Sequence, residues 1–132
     1  MVAAVNKPIK KVGQMVNLDY ICMETGQEIG KNGDKAILQK AIGVLQEDGV
    51  YAMFLWLEDK DKSKLRELIN MLKREGLKKY LLNNSDGFPD DFSEFCEKLK
   101  EVAKDIDKLL FMKKILERTL IYALYHAKIG EG

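Results

Sequence analysis

From Asp91 to Ile129 the chain contains neither glycine nor proline, and a stretch that long without a breaker is helical. As one straight rod it would run about 60 Å at 1.5 Å per residue. A compact chain of 132 residues has a radius of gyration of only about 14 Å. The stretch therefore either breaks or projects, and its apolar pattern says which. Phe92, Phe95, Cys96, Leu99, Val102, Ala103 and Ile106 form one narrow stripe. Extended past Leu110, that stripe lands on Lys113, Lys114 and Glu117. From Leu109 onward the apolar side instead runs through Met112, Leu116, Leu120, Ala123 and Ala127. At 100° per residue this is a swing of roughly 110°, against a drift of about 20° per heptad in a smooth helix. The pattern predicts a break near residues 105–108, with Asp105 or Asp107 as the new cap. It predicts an amphipathic outer helix over 91–105. Over 109–129 it predicts a mostly buried helix with a thin basic edge.

The rest of the chain reads as shorter helices. Residues 1–6 read as a loose tail, and Asn6 caps a first helix that carries Pro8 in its opening turn. Its apolar residues are Ile9, Val12, Met15, Val16, Tyr20 and Met23, and Gly26, Gly30 and Asn32-Gly33 end it between Thr25 and Lys31. Asp34 caps a second helix with Ile37, Leu38, Ala41, Ile42, Val44 and Leu45 on its apolar side, and Asp48-Gly49 breaks it. Val50 to Leu57 suits a buried strand or a buried helix by pattern alone. No second strand exists to pair with it, so its backbone groups are better satisfied as a helix. After a charged turn over 58–62, Ser63 caps a helix striped with Leu65, Leu68, Ile69 and Leu72, and Gly76 stops it. Residues 83–89 are the main loop. The expected fold is all-α, a single-domain bundle of about five or six helices over 1–132.

Charge is abundant but balanced, 22 Lys+Arg against 21 Asp+Glu, so nucleic-acid binding has to come from local patches. Cys22 and Cys96 belong to no paired motif and read as free thiols in a reducing cytosol. No apolar run approaches a membrane span and residues 1–8 carry no apolar leader. The expected protein is cytoplasmic, with no membrane partner.

Candidate chemistry is sparse. His126 is the single histidine, a residue type enzymes use as a general base, but no serine or cysteine stands at a motif-like spacing from it. A metal would need more ligands than His126, Cys22 and Cys96 supply. Asp90, Asp91 and Glu94 sit at a helix start, where carboxylates cap free N–H groups. The glycines at 26, 30 and 33 lack the Lys-Ser/Thr of a phosphate loop. The expectation is no catalytic residue, no metal and no cofactor.

The positive signal is basic. Lys7, Lys10 and Lys11, and Lys60, Lys62, Lys64 and Arg66, form clusters, most of them interleaved with acids. Lys73, Arg74, Lys78 and Lys79 are the least diluted, and Lys113, Lys114 and Arg118 line the polar arc near the C-terminus. These seven are the candidate nucleic-acid-binding residues, and Tyr80 beside them can stack on a base.

Two passages, KAIGVLQEDGVYAMFLWL from Lys40 to Leu57 and MKKILERTLIYALYHAK from Met112 to Lys128, resemble the small helical subunits of CRISPR RNA-guided effector complexes, type III-B (Cmr) most of all. In that family a polar-Gly turn, here Asp48-Gly49, precedes an apolar mid-chain helix, and a helix-rich C-terminal segment closes the bundle. The resemblance implies a non-catalytic subunit in antiviral defence whose partners are guide or target RNA and other effector-complex subunits, with self-association left open. It brings no catalytic motif. The competing expectation is a helical protein–protein adaptor or regulator without nucleic acid, docking through an apolar patch around Tyr122, Tyr125 and Ile129.

Overall fold

The computed structural model describes residues 18–83 and 87–131. Every regular element among them is an α-helix: α1 (18–31), α2 (Lys35–Asp48), α3 (Val50–Lys60), α4 (Lys62–Leu72), α5 (Glu75–Leu82), α6 (Phe92–Ala103) and α7 (Ile106–Glu131). The all-α single domain agrees with the sequence, and Val50 to Leu57 is helical. The tail, the Asn6 cap, Pro8 and the apolar positions up to Val16 lie outside the described residues, as do 84–86 of the main loop.

Two boundaries after α2 differ from the sequence reading, and the second adds a helix. The charged turn over 58–62 shrinks to Asp61, because α3 runs on to Lys60. The cap of α4 is Asp61 rather than Ser63. One carboxylate oxygen accepts from the Lys64 backbone N–H at 3.2 Å and the other takes the Lys64 ammonium at 2.5 Å. Burial alone would push the Asp61 carboxyl up, but the hydrogen bonds and charge of Lys64 outweigh it and hold the group below the ordinary carboxylate range. The second difference lies at Gly76, which does not stop α4. That helix ends at Leu72, and the chain turns through Lys73 and an extended Arg74. Gly76 then sits in the first turn of α5, which closes on Asn83 in the left-handed region at φ 51°.

The breaker-free segment divides where its pattern changes face. Asp91 caps α6 by accepting from the Glu94 N–H at 3.0 Å. Asp105 caps α7, its Oδ1 accepting from the N–H groups of Asp107 at 3.0 Å and Lys108 at 3.3 Å. A short side chain that satisfies the free N–H groups of a new helix ends the old one as well as a glycine would.

α7 is the central helix, about 39 Å long for its 26 residues. It buries Met112, Ile115, Leu116, Thr119, Leu120, Ala123 and Ala127. α2 lies along one flank in extensive contact with it, while α3 and α6 also pack on it. Gly49 at φ 99° lets α2 reverse directly into α3. α1 lies on the other flank. It ends at residue 31, inside the expected bounds, but Gly26 and Gly30 lie within it rather than ending it. A Cβ on Gly26 would stand 2.7 Å from Tyr122 Cβ, and one on Gly30 would stand 2.7 Å from the Ala123 carbonyl oxygen. The face without side chains approaches α7, which buries Ile21, Cys22, Thr25 and Ile29 and leaves Tyr20 and Met23 exposed. Under α3 and α6 the core closes around Phe54, whose ring meets Phe95 edge-on at 4.9 Å. Phe88 joins Phe95 at 5.4 Å from the end of the main loop.

Candidate nucleic-acid interface

The seven basic residues singled out by sequence come from two places in the fold and reach several neighbours. Lys73 pairs with Asp90 ahead of α6 and Arg74 Nη1 with Glu24 Oε1 of α1 at 2.6 Å. Arg118 Nη1 meets Asp19 Oδ1 of α1 at 3.2 Å. Lys113 turns the other way, donating to the Gln46 carbonyl of α2 at 3.5 Å. Lys78 is half-buried and its stem lies against Gly87. Lys79 and Lys114 are exposed, in no ion pair among the described residues. The partners of the seven therefore lie on several elements: α1, α2 and the segment ahead of α6. Lys114 and Arg118, one turn apart, share the outer edge of α7, and Lys113 belongs to the α2 flank.

The ion pairs are surface pairs. Hydrogen bonding from Arg74, and from Tyr20, holds the Glu24 carboxyl below its usual range, and Lys73 does the same for Asp90. Pairs this exposed to solvent add little to stability, so a phosphate competes readily for their cations.

The structure adds two residues that the sequence reading did not place in the site. The Tyr80 ring at the end of α5 meets Phe111 of α7 edge-to-face, centroids 4.9 Å apart. Lys108 Nζ lies 5.8 Å from the Tyr80 centroid and donates to Asn83 Oδ1 at 2.9 Å. Tyr80 remains 45% exposed. Lys108 fell inside the expected break and Phe111 counted only as apolar. The signal that could have found them is the spacing Lys108, Phe111, Lys114, Arg118 on one side of a helix that starts at Asp105.

A groove of about 250 Å³ between α1 and α7 is lined by Leu18, Asp19, Cys22, Phe111, Lys114, Ile115 and Arg118. Beyond Lys108 a wider groove of about 520 Å³ opens between the end of α5 and the α6–α7 junction, lined in part by Lys98, Lys104 and Lys108. Both grooves carry cations interleaved with acids, Glu101 and Asp105 in the wider one and Asp19 in the narrower.

His126 is exposed, its Cβ against Gly30, and bonds to no carboxylate among the described residues. Both cysteines are free and buried, and burial pushes each thiol up. Among the described residues no three His, Cys, Asp or Glu side chains are grouped to hold a metal, and no helix is long and apolar enough to cross a membrane. No protein-family model, curated protein or solved structure matches the chain.

Proposed function

We propose that this chain is a non-catalytic helical subunit of a CRISPR RNA-guided effector ribonucleoprotein, contacting guide or target RNA through basic surface. The observation that carries the reading is the outer edge of α7. That helix buries a residue in each turn from Met112 to Ala127, and the strip it leaves to solvent includes the cations Lys114, Arg118 and Lys128. A second support is where the resemblance falls. Its two passages supply the end of α2, α3 and most of α7, and α2 packs extensively on both α3 and α7.

The test is RNA binding by fluorescence anisotropy across a salt series, with Lys79, Lys114 and Arg118 reversed to Glu. Wild type binds with a steep salt dependence, about 0.7 in log–log slope for each single-strand phosphate contact. The triple variant binds weakly with a flattened slope. Equal binding by the two proteins removes this reading.

The adaptor reading keeps one specific observation: Tyr125 is 59% and Ile129 76% exposed, one helical turn apart. In a ribonucleoprotein subunit this patch faces a neighbouring subunit. A chain that binds no RNA at low salt and elutes as a defined homodimer supports the adaptor instead.

A further inference from the structure

The geometry points to a site for single-stranded RNA centred on Tyr80, with one base stacked on the ring and the flanking phosphates held by Lys108, Lys114 and Arg118. It rests on the RNA-contacting reading above and names the form of RNA that this surface takes.

Four observations converge. Tyr80 is a large aromatic side chain left 45% exposed, yet its ring is held in place edge-to-face by Phe111 at 4.9 Å. A ring fixed on one side and open on another is a stacking platform for an unpaired base. Second, Lys108 rests near that ring at 5.8 Å with a neutral partner, Asn83, at 2.9 Å. An arriving base displaces the ammonium from the ring, and the nearest new partner is the phosphate of the same nucleotide.

Third, the cations are spaced along one helix. Lys108 to Arg118 spans about 15 Å of α7, the reach of a few extended nucleotides, with Phe111 and Lys114 between. Fourth, the acids that line this surface, Asp19, Glu101 and Asp105, are each committed to a cation or to capping α7, while Lys108 and Lys114 meet no carboxylate among the described residues. Arg118 meets Asp19 at 3.2 Å and Lys104 meets Glu101 at 3.3 Å, both exposed pairs. A protein partner matching this surface would need acidic side chains around an aromatic pocket filler. A single strand brings phosphates and planar bases together in every residue.

The experiment uses the full chain with an eight-nucleotide single strand carrying 2-aminopurine, and a blunt RNA duplex of the same length. Wild type should prefer the single strand and quench the 2-aminopurine by stacking. Tyr80→Phe keeps affinity within about twofold, because the π-face remains. Tyr80→Leu, which keeps an apolar body against Phe111, loses about tenfold or more with an unchanged salt slope. Lys108→Ala lowers the slope by about 0.7. Thermal melts confirm that the variants fold, and the quench in wild type needs no variant.

Equal affinity of Tyr80→Leu and wild type, or no quench, overturns the stacking site. Preference for the duplex overturns it while leaving the RNA-contacting reading standing. No RNA binding at low salt overturns both, and binding only to an acidic peptide replaces RNA by a protein partner.

Discussion

The two helices that flank α7 reach it by opposite means. α2 brings bulk, burying Leu38, Ala41 and Leu45 completely and tying its edge to α7 through Gln46, whose amide donates to Glu117 at 2.6 Å. α1 brings absence. Gly26 and Gly30 let its backbone come against Tyr122, Ala123 and His126, closer than any Cβ would allow. Glycine also occurs in α2, at Gly43, where an added Cβ would meet nothing within 4 Å. The same residue type is therefore a packing requirement on one flank and a plain entropic cost on the other. On the α2 flank removing atoms should hurt, and on the α1 flank adding them should.

The largest expected effect is Leu45→Ala, which leaves a cavity in a fully buried site and costs about 3 kcal/mol in urea denaturation. Next comes Gly30→Ala, expected to cost about 2 kcal/mol because backbone rather than a flexible side chain stands in the way. Adding Gly26→Ala should cost less than its own single value, since a displaced α1 has already relieved the clash. The same variant has a local reporter. Cys22 is 2% exposed on the α1–α7 flank, and its Sγ lies 3.6 Å from the Ile115 carbonyl oxygen. Its reaction with a thiol reagent should speed up in Gly30→Ala while that of Cys96 stays slow. If Cys22 does not respond, α1 does not move and the close approach is not what the glycine serves.

Gly43→Ala should go the other way, raising stability by about 0.5–1 kcal/mol through helix propensity. A loss there would mean that α2 is as tightly apposed as α1. The smallest effect is a pH dependence that belongs to neither flank. The Asp61 carboxyl is lowered in the folded state, so its contribution is present above the unfolded value near 3.9 and is lost as pH falls through the folded value. Melting curves between pH 6 and 3 should show this fall, and Asp61→Asn should lack that part of it.

The fold was legible wherever a few neighbouring residues decide the outcome. The break at Asp105 could be read because an apolar stripe that changes face announces a new helix, and an aspartate at the change can cap it. The Asp34 and Asp91 caps were legible in the same way. The site was legible in part. Lys114 and Arg118 share an edge because they are four apart on one helix, which spacing alone shows. The pairing of Tyr80 with Phe111 and Lys108 was not, since α5 and α7 meet there only through the arrangement of the whole bundle. Lys73 and Arg74 illustrate the same limit: adjacent in the chain, they bond to Asp90 and Glu24 respectively.

What the sequence by itself determined is the all-α class, most of the caps and the division of the long C-terminal segment. Hydrogen bonds to free N–H groups and the 3.6-residue period act within a turn or two of the chain. What only the tertiary structure decided is which glycines are stops, which are close contacts and which cations share a face. A glycine carries no side chain to show its purpose, and a lysine carries no mark of its partner. Both acquire their role from the helix that packs beside them.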